Sequence, residues 1–215
     1  MNLLLIFLVP LCFIYFLAGT DFSRFPRILL AWFSGLAAAA VVILLDFLVF
    51  KKLVPGNSSR FLVIFSGFFF SESFIPYIFP CILLFCFSFF SKADPAENMV
   101  PWLFGVATIS LPYILLTHYS IPDLAVPIFA SAMLTAVLFL TDFLLSFLCS
   151  GKAKSPSRFL MALLPALVLF IITDLCKTFW FFCFPAWIYW SIAVLCVILS
   201  LAARILLRTN RLQAG

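Results

Sequence analysis

Long apolar runs alternate with short polar segments along this chain, and that alternation limits its fold more than any other feature. The runs cover residues 2–19, 28–50, 60–91, 99–118, 124–149, 159–176 and 179–207. About 20 apolar residues in a helix are enough to cross a hydrocarbon core of about 30 Å. We therefore predict an all-α polytopic membrane protein of six or seven transmembrane helices, with residues 1–215 forming a single transmembrane domain.

The composition excludes a soluble protein. Hydrophobic residues make up 66% of the chain and charged residues only 10%, whereas soluble domains carry about 25% charged residues. A soluble fold of this size has too little interior to bury so much apolar surface, so the expected partner is the lipid bilayer. The net charge of +5 comes from basic residues in short loops and at the C-terminus. Because they form no contiguous basic face, we expect no nucleic-acid partner.

Cofactor and metal signatures are missing from the sequence. The seven cysteines include no C-x-x-C pair, and cysteine in an apolar run behaves as a small hydrophobic residue. One histidine without an H-E-x-x-H motif argues against a zinc site. We expect no metal and no cofactor. The first run has no Lys or Arg before Arg24, so we interpret it as a retained helix and not as a cleaved signal peptide.

The run 60–91 is too long for one simple span and too short for two. Its middle contains polar residues and prolines, namely Ser71, Glu72, Ser73, Pro76 and Pro80. Proline removes a backbone donor and clashes with the preceding turn. We predict that this segment is kinked, broken or re-entrant, and the sequence leaves these alternatives open.

The charge distribution is compatible with two topologies. If 60–91 crosses the membrane and the N-terminus is outside, nine basic residues fall inside and four outside. If 60–91 is re-entrant and the N-terminus is inside, ten basic residues fall inside and three outside. Both arrangements follow the excess of Lys and Arg on the cytoplasmic side, and both predict a cytoplasmic C-terminus.

An internal repeat relates the two halves of the chain. Residues 25–50 align without gaps on residues 121–146, with eight of 26 positions identical, Asp46 and Asp142 among them. The alignment predicts two three-helix units, residues 2–91 and 99–176, followed by an extra C-terminal helix at 179–207. Two spanning units of three helices would be inverted copies, as in many transporters. Small residues on the second and fifth runs predict that these two helices pack together.

Four carboxylates interrupt the apolar runs, and we take them as candidate substrate or ion ligands: Asp46, Glu72, Asp142 and Asp174. A carboxylate in hydrocarbon is costly unless it is paired, protonated or facing water. Glu72 and Asp142 lie farther from the ends of their apolar runs than Asp46 and Asp174 do, which makes them the better candidate ligands. Asp174 has an alternative interpretation as a helix-end residue beside Lys177.

Further candidates are a histidine and two arginines. His118 ends the fourth run and is a candidate proton relay, or else an ordinary interfacial histidine. Arg60 and Arg158 are predicted charge partners at helix ends, where they would pair with Asp46 and Asp142 or orient the chain.

The function predicted from these features is a small transporter, or the membrane subunit of one, for a small solute or ion. One alternative is an intramembrane enzyme that uses Asp46 with Asp142, or Glu72 with His118. Another is a non-catalytic accessory subunit of a larger membrane complex. The enzyme is less favoured because no G-x-S-x-G motif is present. With no soluble domain predicted, energy would come from an ion gradient or a separate ATPase subunit, so further membrane subunits are candidate partners.

Overall fold

The fold is a bundle of helices. A computed structural model describes residues 7–18, 20, 22–48, 60–88, 95–118, 125–148 and 156–213. In chain order the helices are α1 (Leu8–Leu17), α2 (Phe25–Leu48), α3 (residues 61–88), α4 (Pro95–His118), α5 (Ala125–Leu148), α6 (Pro156–Phe181) and α7 (Ala186–Gln213).

Six of these helices, α2 to α7, are long and apolar enough to cross a membrane, which confirms the predicted all-α polytopic membrane protein. Their outward faces carry large apolar side chains, such as Leu30 at 73% exposed, Leu164 at 61% and Trp187 at 70%. Lipid is the solvent that such faces require, because extensive exposed apolar surface is rare on soluble proteins. The ten-residue α1 packs on this bundle through Phe13, which stacks on Trp32 of α2 with ring centroids 5.1 Å apart.

Helix α3 is continuous, so a break or a re-entrant segment is wrong, whereas the third predicted alternative, a kink, stays a prediction. It is α-helical over Phe61–Phe68, π-helical over Phe69–Ile78 and α-helical again over Phe79–Ser88. Two prolines fall in this stretch, and the backbone accommodates them by a change of hydrogen-bond pattern. At the end of the π segment, for example, the Phe79 N–H donates to the carbonyl of Phe74, five residues back.

The boundary predicted between the last two runs is also wrong. The apolar runs predict that one helix ends at residue 176 and that the next begins at residue 179. Instead α6 continues through Lys177 to Phe181, and the chain reverses over residues 182–185 before α7 begins at Ala186. Lys177 is only 5% exposed, so its charge lies inside the bundle.

Helices α2 and α4 pack most closely at two glycines. A Cβ added to Gly35 would overlap the carbonyl oxygen of Trp102, and one added to Gly105 would overlap the carbonyl oxygen of Trp32. Small residues allow this close approach of backbones where lipid supplies no hydrophobic drive. The predicted contact between α2 and α5 is wrong. In the described part of the chain α2 packs chiefly on α4, whereas α5 packs on α7 and α6. The internal repeat stays a prediction.

The glycine contact gives a test of the packing. We expect Gly35→Ala to destabilise the protein by about 1–3 kcal/mol, the usual cost of overpacking a close contact, because the new methyl group meets a backbone carbonyl that cannot rotate away. The double variant Gly35→Ala/Gly105→Ala should cost less than the two single variants together, since the first substitution already separates the helices. Denaturant unfolding in detergent micelles measures both.

The matched control is Ala37→Leu, which adds more volume on the exposed face of the same helix. It should leave the unfolding midpoint unchanged. Equal destabilisation by Gly35→Ala and Ala37→Leu would contradict the α2–α4 contact.

Candidate functional site

Charged side chains from α3 and α6 meet inside the bundle. The Lys177 Nζ lies 2.8 Å from Oε2 of Glu72 and 3.0 Å from Oδ1 of Asp174. Glu72 is 3% exposed, Asp174 0% and Lys177 5%. We call these three residues the carboxylate–lysine cluster. One ammonium group thus serves two carboxylates, out of contact with solvent.

The helical repeat of α6 brings its members of the cluster together. Phe170, Thr173, Asp174 and Lys177 follow one another at intervals of three, one and three residues, so they share a face of the helix. This face turns towards α3, where the ring of Phe170 stacks on the ring of Tyr77 at a centroid distance of 5.2 Å. The polar part of the face lies beside the π-helical segment.

The π-helical segment presents Glu72, and Pro76 explains why the backbone widens there. Pro76 has no N–H to donate to the Glu72 carbonyl, and its ring clashes with that carbonyl in an α-helix. In a π pattern each carbonyl pairs with the N–H five residues on, which puts Tyr77 in the donor position for Glu72. The same widening buries Glu72, Ser73 and Tyr77 together.

The cluster lies at different distances from the ends of its two helices. Glu72 is near the middle of the candidate span Phe61–Leu84 of α3, whereas Lys177 precedes Phe181, the last residue of α6, by four residues. Four residues correspond to about 6 Å of helix. The cluster is therefore near the middle of α3 and close to one end of α6.

A small cavity adjoins the cluster where four helices meet. Its volume is about 20 Å³, and about 10–15 Å³ is enough for one water molecule. The polar wall comes from α3 and α6, and the apolar wall from α4 and α5. The lining residues are Glu72, Ser73, Tyr77, Leu111, Ile114, Ala130, Leu134, Phe170, Thr173 and Lys177.

Two buried polar atoms at this site have no hydrogen-bond partner among the described protein atoms. They are Oδ2 of Asp174 and the phenolic oxygen of Tyr77. Lys177 and Ser73 both hydrogen-bond to the Asp174 side chain, yet Oδ2 is left over. Tyr77 is 2% exposed and lines the cavity. Buried polar atoms normally find a partner, so the Tyr77 hydroxyl can bind a small polar species in the cavity, whereas Asp174 is not among the lining residues.

A second buried ion pair joins α5 and α7. Arg204 Nη1 lies 3.1 Å from Oδ2 of Asp142, and its Nη2 donates to the carbonyl oxygen of Phe16 at 2.7 Å. The guanidinium carbon also lies 5.1 to 5.8 Å from the ring centroids of Tyr15, Phe16 and Phe139. Arg204 therefore links the C-terminal end of α1 to α5.

The structure brings two of the predicted site residues together and separates them from a third. Glu72 and Asp174 share Lys177, so Asp174 belongs to the cluster and does not cap a helix end. Asp142 lies in the other ion pair, with Arg204 as its partner. The side chains of three further predicted residues, Asp46, His118 and Arg158, lie outside the described part of the chain, and their roles stay predictions.

Sequence reasoning missed the two cations that complete these pairs. The predicted runs place Lys177 between two helices, and Arg204 counts among the basic residues near the C-terminus. For Lys177 a signal existed: it follows Asp174 by three residues within an otherwise apolar stretch, which is the spacing of a helical ion pair. For Arg204 no local signal exists, because Asp142 is 62 residues away.

Within the described ranges, no group of three His, Cys, Asp or Glu side chains is arranged to hold a metal ion. No protein-family model matches the chain, and no curated protein or solved structure matches it significantly.

Removal of the shared cation should destabilise the fold. We expect Lys177→Met to cost about 3–5 kcal/mol, as for other buried ion pairs that lose one partner, because two buried carboxylates then lose the ammonium group that they share. Adding Glu72→Gln to Lys177→Met should recover at least about 1 kcal/mol, within the usual range of coupling between contacting residues. Denaturant unfolding of the four proteins in the cycle measures the coupling.

The control is Arg24→Gln, since Arg24 is exposed. Its effect should stay within about 0.5 kcal/mol, as for most surface substitutions. If Glu72→Gln destabilised the Lys177→Met protein further, the two side chains would not share an ion pair.

The second ion pair should require a guanidinium group. An ammonium group lacks the planar fork that holds Asp142 and the Phe16 carbonyl together, so Arg204→Lys should loosen α1. In a protein whose only cysteine is the half-buried Cys12 of α1, we expect faster reaction with N-ethylmaleimide in the Arg204→Lys variant. Arg24→Lys serves as the control and should leave the rate unchanged. A rate unaffected by Arg204→Lys would contradict the proposed link between α1 and α5.

Proposed function

We propose that this protein transports a small solute or ion across the membrane, and that the carboxylate–lysine cluster is its substrate or ion site. The observation that carries the proposal is a buried group of three charged side chains on two candidate membrane-spanning helices. Ionisable groups within such helices are rare and mark ion and proton pathways in membrane proteins. Transporter sites are typically formed by helices whose regular structure is interrupted. The π-helical segment at Glu72 is such an interruption.

A buried hydroxyl group supports a binding role for this site. The phenolic oxygen of Tyr77 has no hydrogen-bond partner among the described protein atoms, and Tyr77 lines the cavity together with Glu72 and Lys177. Buried polar atoms normally find a partner, and a small polar species in the cavity would supply it.

The size of the cavity supports a small substrate. About 20 Å³ beside the cluster accommodates a species the size of water and nothing much larger. A larger solute would require α3 and α6 to separate, so the simplest cargo is an ion or a very small molecule.

The continuity of α3 bears on the orientation of the protein. With α3 crossing the membrane and Lys177 and Arg204 buried in the bundle, eight of the remaining basic residues lie on the side of the C-terminus and three on the other. The excess of Lys and Arg on the cytoplasmic side of membrane proteins then supports a cytoplasmic C-terminus. Partners such as an energising subunit would bind on that side.

Transport can be tested with purified protein in liposomes. Vesicle swelling, followed by stopped-flow light scattering, reports the uptake of sodium, potassium and ammonium chloride and of urea and glycerol. We expect at least one solute to enter faster than into protein-free liposomes. Glu72→Gln and Lys177→Met should each reduce that rate at least about tenfold, equivalent to 1.4 kcal/mol, because each removes a charged group from the site.

Arg24→Gln is the matched control and should transport at the wild-type rate. Size-exclusion chromatography and thermal unfolding establish that each variant is folded. Rates equal to those of protein-free liposomes for every solute would contradict the proposal. So would wild-type rates in both folded cluster variants.

A further inference from the structure

We propose that the cavity beside the carboxylate–lysine cluster binds one uncharged, water-sized molecule, which accepts a hydrogen bond from the hydroxyl group of Tyr77. Water and ammonia are two molecules that share this chemistry. The binding site does not depend on transport, whereas the inference that the cargo is uncharged rests on the proposed transport function.

The hydroxyl group of Tyr77 is the donor that the ligand meets. Tyr77 is 2% exposed, and its phenolic oxygen has no hydrogen-bond partner among the described protein atoms. The group interacts electrostatically with Glu72, and both residues line the cavity. The stack of the Tyr77 ring on Phe170, at a centroid distance of 5.2 Å, holds the side chain in place. A buried proton donor is thus fixed beside the cavity.

Two further hydroxyl groups on the cavity wall supply acceptors. Thr173 donates its own proton to the carbonyl oxygen of Leu169 at 2.9 Å, and Ser73 donates to the carboxylate of Asp174. A hydroxyl oxygen that donates its proton can still accept. A molecule in the cavity can therefore accept from Tyr77 and donate to Ser73 or Thr173. Two to four such partners are typical of a buried water molecule.

The volume of the cavity limits the ligand to one very small molecule. It measures about 20 Å³, and about 10–15 Å³ is enough for one water molecule. Ammonia is close to water in size, whereas urea and glycerol are several times larger. Space thus selects a single molecule with one heavy atom.

Charged species are disfavoured because the wall carries charges of both signs. Glu72 and Lys177 both line the cavity, with 2.8 Å between Oε2 and Nζ. A cation attracted by the carboxylate is repelled by the ammonium group, and the reverse holds for an anion. The desolvation of an ion is then poorly compensated. An uncharged molecule does not meet this cost.

Water-edited solid-state NMR of the protein in lipid bilayers tests the proposal. Magnetisation passes from water protons to nearby carbon nuclei, here to ¹³C at the hydroxyl-bearing ring carbon of the five tyrosines. The signal of Tyr77 is the one that the Tyr77→Phe variant lacks. We expect this signal to receive magnetisation at short mixing times, because a water molecule exchanges between the cavity and the bulk. Absence of that transfer in the wild-type protein would overturn the proposal.

A cavity-filling variant identifies where the water lies. Ala130 is buried and lines the cavity, so the added methyl groups of Ala130→Val should displace the ligand and abolish the transfer to Tyr77. The matched control is Ala132→Val, the same change at a half-buried position of α5 that does not line the cavity. It should leave the transfer unchanged. Transfer that persists in folded Ala130→Val protein, or equal loss in both variants, would contradict a ligand in this cavity.

Salts distinguish an uncharged ligand from an ion. Sodium chloride added at constant pH should not change the transfer to Tyr77, and a loss would mean that an ion takes the place of water, against the proposal. Ammonium chloride should be compared with sodium chloride at acidic and at raised pH. A loss that only ammonium chloride produces, and only at raised pH, identifies ammonia as a ligand. No loss at either pH leaves water as the ligand.

The NMR result and the vesicle assay separate this proposal from the proposed function. Transfer to Tyr77 without any solute flux would support the binding site and contradict transport. Flux without transfer to Tyr77 would overturn the binding site and leave a transporter whose cargo passes elsewhere.

Discussion

One ammonium group shared by two carboxylates in the interior of the bundle determines how α3 and α6 pack. Lys177 bonds Glu72 at 2.8 Å and Asp174 at 3.0 Å, and none of the three groups has access to bulk water. In hydrocarbon each charge is tolerated only beside its partners, so the rotation of α6 and the register of α3 are restricted to arrangements that keep these contacts. The neighbouring stack of Tyr77 on Phe170 reinforces the same register through apolar contact.

The backbone of α3 and the chemistry of the site are parts of the same arrangement. Pro76 prevents a regular α-helix at Glu72, and the π-helical hydrogen bonds restore partners to a backbone that lipid cannot solvate. π-Helical turns are rare and occur frequently at functional sites. In this chain the π segment carries Glu72, Ser73 and Tyr77, which form the α3 wall of the cavity. Prolines in the middle of a transmembrane helix thus set both its shape and its polar face.

The sequence predicts the spans well and the contacts between them poorly, for physical reasons. Apolar length alone indicates six of the helices, and the cost of a carboxylate in lipid selects Asp46, Glu72, Asp142 and Asp174 as candidates. Position within the apolar runs favours Glu72 and Asp142, although the structure places Asp174 and not Asp142 beside Glu72. Helical periodicity reports which residues share a face of one helix, but not which helix that face meets. The contact between Gly35 and Gly105, and the Arg204 partner of Asp142, depend on tertiary packing that no local pattern encodes. The position of Lys177 was predicted wrongly because a charged residue interrupts an apolar run both at a loop and at a buried ion pair, and the sequence does not distinguish the two cases.

The central claim, that Lys177 joins both carboxylates inside the membrane, is tested most directly by solid-state NMR in lipid bilayers. With ¹⁵N in the lysine side chains and ¹³C in the Glu and Asp carboxyl groups, dipolar recoupling measures the distances from the Lys177 nitrogen to the carboxyl carbons of Glu72 and Asp174. Our account predicts strong coupling to both, in keeping with the short contacts from Nζ to Oε2 and Oδ1. Coupling to only one carboxyl carbon, or a Lys177 side chain extended to the membrane surface and coupled to neither, would contradict it.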